Sequence, residues 1–198
     1  MNVTDPKAVE EAIVGQIKDF NNRLDVFVYN SGVAWTSGAS IGSDLENYQK
    51  VMKVNVDGLF YCARIVGKVF QDQKTSKLDG FKLGSFIATS SISGHIANIP
   101  QRQTPYDASK AAVKHMCQNL AIEWVQFARV NSISPGYIKT EITNWVPEDT
   151  KDVWRNLIPM GREGEPGELV GGYIFLASDA SSYCTGTDLL IDGGYCAP

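Results

Sequence analysis

Lys82-Leu83-Gly84-Ser85-Phe86-Ile87-Ala88-Thr89-Ser90-Ser91-Ile92-Ser93-Gly94 is a short apolar run that turns abruptly into small hydroxyl residues and glycine. It reads as a buried strand, 85–89, whose C-terminal end opens into a loop. Open α/β sheets bind their ligands at that end of a strand. Downstream stands Thr104-Pro105-Tyr106-Asp107-Ala108-Ser109-Lys110. Thr104 suits an N-cap and Pro105 a first helical position, where proline's fixed φ fits and its missing N–H costs nothing. Tyr106 and Lys110 then fall at i and i+4 on one helix face. A free tyrosine titrates near pH ~10. A fixed cation stabilises the phenolate, so Lys110 is expected to lower the Tyr106 pKa and let it pass a proton to or from an alcohol oxygen.

Outward from this centre, strands and helices alternate. Asp5-Pro6 starts a helix running to about Phe20, and 24–29 reads as a strand ending at Asn30-Ser31-Gly32. Ser43-x-x-Glu46 is a capping box for one long helix to about Phe70. The helix from Tyr106 carries an apolar stripe at helical spacing, Val113, Met116, Leu120, Trp124 and Phe127. A strand over 130–134, a helix over 168–178 after Pro166-Gly167, and a last strand over 189–191 complete the pattern. Such alternation predicts a parallel sheet with helices on both faces. No repeat, linker or low-complexity tract divides residues 1–198, so one domain is expected.

Composition narrows the partners. The chain has 198 residues, 43% of them hydrophobic, with 18 basic and 22 acidic residues and a net charge of −4. That is enough chain for one sizeable core and no basic footprint for nucleic acid. No apolar stretch is long enough to span a membrane, and the N-terminus resembles neither a signal nor a transit peptide, which points to the cytoplasm. Cys62, Cys117, Cys184 and Cys196 show no C-x-x-C spacing, and with only His95 and His115 beside them no metal site is expected. Free thiols are the reading.

Asn30-Ser31-Gly32, Asn55, Ser91-Ile92-Ser93-Gly94, Tyr106-x-x-x-Lys110 and Pro135-Gly136-Tyr137-Ile138-x-Thr140 occur in the order and approximate spacing of the short-chain dehydrogenase/reductase family, which this chain resembles over most of its length. The wording of 84–110, with Gly161-Arg162-Glu163-Gly164 and Ile191-Asp192-Gly193-Gly194-Tyr195, is most similar to fungal NADP-dependent mannitol dehydrogenases, with sorbose and xylulose reductases close behind. The resemblance implies an α/β fold, a Rossmann-like doubly wound parallel sheet. It also implies reversible hydride transfer between a ketose and a polyol, NADP as cofactor with NAD left open, and a homo-oligomer, tetramer or dimer.

The same resemblance assigns residues. Ser91 holds the substrate oxygen, with Ser90 or Ser93 as occupants if the register slips. Asn55 holds a water in a proton relay, Tyr106 gives the proton, and Lys110 lowers the Tyr106 pKa and binds the nicotinamide ribose. Asn30, Ser31 and Gly32 form the adenine-side wall. Pro135, Gly136, Ile138 and Thr140 touch the carboxamide, and Ser93, His95, Ile96, Tyr137 and Trp154 stand where the family's substrate loops lie. Gly186, Asp192, Gly193 and Gly194 match a structural C-terminal signature.

One part of the family's pattern has no counterpart. The loop Gly-x-x-x-Gly-x-Gly, whose backbone N–H groups bind the pyrophosphate, is absent, and Gly161-x-x-Gly164-x-x-Gly167 has the wrong spacing to replace it. The sheet is therefore expected to lack its first β-α units, about 60 residues. The strand at 25–29 is expected to present a Val/Phe-rich edge. Two alternatives stay open: a non-catalytic fragment that associates with full-length homologues, and a reductase of a different carbonyl compound.

Overall fold

The computed structural model describes residues 1–197. Four strands, β1 (Val26–Tyr29), β2 (Gly84–Thr89), β3 (Ala128–Pro135) and β4 (Asp188–Ile191), form a sheet in the order β1-β2-β3-β4 with every pair parallel. Side-chain alternation divides the core between the two faces. Phe27, Tyr29, Phe86, Ala88, Ala128 and Val130 point into one cluster with α1 (Pro6–Asp19), α3 (Gly58–Thr75) and α4 (Thr104–Glu123). Val26, Ile87 and Ile133 point the other way, onto Tyr173 and Leu176 of α6 (Gly167–Ala177). The result is the expected three-layer α/β arrangement, with β1 as an edge strand paired only to β2.

Local chemistry explains most boundaries. Asp5 caps α1 by accepting from the Lys7 and Ala8 N–H groups, and Pro6 takes its first position. Two residues with positive φ, Asn21 and Asn22, follow its end. The expected single helix from the Ser43 capping box to Phe70 is instead α2 (Leu45–Met52), a π turn (Lys53–Asp57) and α3, which runs on to Thr75. Asp44 is the N-cap, because the Ser43 hydroxyl is spent on the Ser40 carbonyl. The π turn has a visible cause. Tyr29 donates its hydroxyl to the Val54 carbonyl, while the Gly58 N–H reaches back to Lys53 O. A side chain on Gly58 would stand 2.6 Å from the Tyr29 oxygen.

Helix α4 also departs from expectation. Thr104 is its first residue and not its cap, since Gln103 occupies the cap position and its amide is committed elsewhere. It ends at Glu123, because the carbonyl of Trp124 turns to accept from the Phe127 and Ala128 N–H groups. Trp124 thereby leaves the helix and meets Phe86 edge-on at 5.7 Å. Among the described residues, no helix is long and apolar enough to cross a membrane.

Candidate active site

A cleft of about 720 Å³ opens at the C-terminal ends of β1, β2 and β3. Its floor is the loop after β2. Ser91 sits in extended backbone and its Oγ accepts from the Ser93 N–H at 3.1 Å, closing the tight turn at Ile92–Gly94. Ser90 points away and donates to the Lys110 carbonyl (2.9 Å), while the Ser93 hydroxyl accepts from Gln103 Nε2 (3.1 Å). Of the three serines, Ser91 is the one whose hydroxyl draws the Tyr106 pKa down. Glycine at 94 is a packing requirement: a Cβ there would lie 2.9 Å from the Lys110 carbonyl carbon and oxygen. The loop is thus pressed onto α4, one turn from the tyrosine.

Tyr106 and Lys110 share the expected helix face, with the ammonium 5.6 Å from the ring centroid. The expected lowering of the Tyr106 pKa is not found. Burial pushes the phenol up to about 12, and the Ser91 hydrogen bond draws it only part of the way back. Lys110 explains why. Its ammonium lies over the ring face and donates to the Thr89 carbonyl at 2.9 Å, and burial lowers its own pKa to about 8. A cation that is itself short of solvation and directed past the phenol is a weak counter-charge. Burial also raises the Asp107 carboxyl, against hydrogen bonds from Gln103, the Asn98 N–H and Ser93.

Asn55 is fully buried in the π turn and does not line the cleft. Its Oδ1 accepts from the Val33 N–H (2.9 Å), and its Nδ2 donates to the Val33 carbonyl (3.2 Å) and to Ser109 Oγ (2.9 Å). Ser109 in turn donates to the Tyr106 carbonyl at 2.7 Å. The Asn55 side chain is therefore a strut between the loop after β1 and the helix that carries Tyr106, with its amide engaged by protein. In that loop Asn30 accepts from Thr89 Oγ1 at 2.8 Å, and Asn30 and Gly32 line the cleft. Ser31 is exposed and does not.

The opposite wall follows β3. Pro135, Gly136, Tyr137, Ile138 and Thr140 all border the cleft, and the strip is fixed by paired backbone bonds, Gly164 N–H to Tyr137 O (2.9 Å) and Lys139 N–H to Gly164 O (3.0 Å). The Tyr137 ring lies on Trp154 of α5 (Glu148–Leu157) with centroids 4.1 Å apart and planes 11° from parallel. Asp192 holds the C-terminal turn by accepting from the Gly194 and Cys196 N–H groups.

His95 does not line the cleft, nor does Ile96. The His95 ring turns under the sheet end, where Nε2 bonds Asp188 (2.8 Å) and Ser134 (3.2 Å) and Nδ1 faces Lys114 Nζ at 3.3 Å. Three hydrogen-bonding groups, of which Ser134 is fully buried, hold the ring away from the cleft. Other residues escaped the sequence reading. Asn98 donates to the Tyr137 hydroxyl at 2.8 Å, Tyr173 bonds Thr89 Oγ1 at 2.7 Å, and Gln103 bridges Ser93 and Asp107. The i, i+4 spacing of Gln103 and Asp107 around Tyr106 was a usable signal. Nothing local marks Asn98 or Tyr173, whose partners lie 39 and 84 positions away.

Lys110 carries three N–H donors and Thr89 uses one; the others, with the Ile138 backbone and the Thr140 hydroxyl, suit the amide-and-ribose end of a dinucleotide. The sequence contains no glycine-rich loop for a pyrophosphate. A family model described as enoyl-(acyl carrier protein) reductase matches residues 1–196. The chain is 56% identical to an L-xylulose reductase of Hypocrea jecorina, over 100% of this chain and 71% of that protein. It is 51% identical to a probable NADP-dependent mannitol dehydrogenase of Yarrowia lipolytica, over 99% of this chain and 68% of the other. Among solved structures, a short-chain type dehydrogenase/reductase from Mycobacterium marinum superposes with a TM-score of 0.91 at 40% identity, covering 100% of this chain and 74% of that one.

Proposed function

From the premise that this chain belongs to the short-chain dehydrogenase/reductase family and is an oxidoreductase, we propose that it interconverts a ketose and a polyol, with Tyr106 as proton donor and Ser91 as the hydroxyl that holds the substrate oxygen. The observation that supports this reading is the convergence of Ser91, Tyr106 and Lys110 on one cleft at the C-terminal end of the sheet. The relatives' names, xylulose reductase and mannitol dehydrogenase, support the substrate class and NADP as cofactor.

NADP(H) supplies or takes the hydride when it is bound. Lys110, the Ile138 backbone and Thr140 would hold its nicotinamide end. Ser91 donates to the substrate oxygen and Tyr106 directs its O–H at the same atom, so that charge developing there is met by two fixed donors. A phenol pushed up to about 12 is protonated at neutral pH, which suits donation to the alkoxide formed in ketose reduction. Polyol oxidation needs the phenolate, so its rate should climb as pH rises above neutrality while reduction is favoured near pH 7. The reading includes self-association through α3 and α4, whose outer faces expose Phe60 and Ile122, with Val125 exposed just past the end of α4.

The test is Tyr106→Phe, assayed as NADPH oxidation with D-fructose and with L-xylulose. Turnover should fall by about 10³-fold, the middle of the range for loss of a general acid, with an unchanged thermal melt. Near-normal turnover in that variant would remove Tyr106 from the role.

A further inference from the structure

Two buried side-chain atoms have no hydrogen-bond partner among the described residues, Asn98 Oδ1 and Trp154 Nε1. Both residues line the same cleft, and both touch Tyr137. Asn98 is 6% exposed and Trp154 1%. The Asn98 amide is oriented by its Nδ2, which donates to the Tyr137 hydroxyl at 2.8 Å, and the Trp154 indole by its stack on the Tyr137 ring. Each orphan atom is thus held in place by the same tyrosine, one an acceptor and the other a donor. Shut away from bulk water, each carries the penalty of an unmade bond in the free protein, and a ligand group that bonds it removes that penalty.

We infer that Asn98 Oδ1 and Trp154 Nε1 flank a hydroxyl-recognition subsite, which accepts the part of a polyhydroxylated chain remote from the carbonyl held at Ser91 and Tyr106. A sugar hydroxyl both donates and accepts, so a chain of hydroxyls matches a fixed acceptor and a fixed donor on residues that line one cleft. An unsubstituted alkyl ketone would leave both atoms unpaired. Sites built to bond a hydroxyl discriminate strongly against analogues that lack it. The inference rests on the ketose–polyol reading of the site and adds to it the residues that select the ligand; Asn98 and Trp154 recognise substrate and take no part in proton transfer.

The experiment compares kcat/KM for D-fructose and for 2-hexanone, with NADPH, in the wild-type chain, Asn98→Leu and Trp154→Phe. Asn98→Leu is close to isosteric and should lower kcat/KM for D-fructose about tenfold while leaving 2-hexanone within about twofold. Trp154→Phe keeps an aromatic ring on Tyr137 and should shift the same ratio in the same direction. It also decides the matter if Asn98→Leu fails to fold. Parallel losses on both ketones would mean that Asn98 only steadies Tyr137, and an unchanged ratio in a folded variant would likewise overturn the subsite. If the wild-type chain reduces neither ketone, the ketose reading fails by itself. The subsite is then read from the indole N–H resonance of Trp154, assigned by its loss in Trp154→Phe: saturable movement with D-mannitol, abolished by Asn98→Leu, supports the subsite, and a resonance that stays still refutes it.

Discussion

Strands β1 and β2 lie side by side in parallel register, Val26 beside Ser85 and Tyr29 beside Ala88, and both have an apolar stretch, Val-Phe-Val-Tyr in β1 and Phe-Ile-Ala in β2. Yet Phe86, Ile87 and Ala88 are 0% exposed, whereas Val28 is 41% exposed. Composition does not separate them. Strand β2 has a neighbour on each edge, α4 on one face and α6 on the other, while β1 has one neighbour and an open edge. The site follows the same gradient. Ser91, at the end of the enclosed strand, is bonded in place by the Ser93 N–H and buried in the cleft, whereas Ser31, past the end of β1, faces solvent. The loop that needs fixed geometry grows from the strand with least freedom.

The comparison breaks first at Phe86. Phe86→Ala removes a fully buried ring that touches both Phe27 and Trp124, and should lower unfolding stability by about 3–5 kcal/mol, read from the midpoint of a urea melt. A loss below about 1 kcal/mol would mean that β2 is less confined than its burial indicates.

A second break lies at Lys110, reached from the β2 end through Thr89. Its folded pKa, about 8, is below its ordinary 10.5, so between those values the unfolded chain holds the proton and the folded one does not. Stability contributed by this site therefore rises with pH across that window. Lys110→Met should stabilise the protein most at pH 7, and its advantage should shrink by on the order of 3 kcal/mol by pH 11. A pH-independent difference between the two melts would show that the ammonium is not desolvated.

The smallest effect belongs to the edge. Val28→Thr keeps the β-branched shape on a half-open surface and should change stability by less than about 0.5 kcal/mol. A larger loss would show that something covers the β1 edge in solution, and the contrast with β2 would vanish.

Much of this organisation was legible before any coordinates. The run into Ser90-Ser91 marked the strand end because apolar residues stop where the backbone leaves the core. The spacing of Tyr106 and Lys110 placed them on one face because helical periodicity is local. Legibility ended where two distant segments compete for one group. Ser43 read as the cap, but the Ser40 carbonyl takes its hydroxyl and Asp44 caps the helix instead. His95 stood beside the site in sequence, but Asp188, 93 positions away, holds its ring elsewhere. The partners of the Asn55 amide, Val33 and Ser109, lie 22 and 54 positions away and carry no local mark.

By itself, the sequence determined the alternation of strands and helices, the family, and the residues gathered at the sheet's C-terminal end, because periodicity and motif order are properties of neighbouring positions. Tertiary structure alone decided what those residues can do. The Tyr106 phenol rises and the Lys110 ammonium falls because packing strips both of solvation, Ser90 is turned from the phenol because the Lys110 carbonyl of α4 claims its hydroxyl, and Asn98 is oriented in the cleft because its amide bonds Tyr137. Solvation and hydrogen-bond partnership depend on groups that only folding brings together.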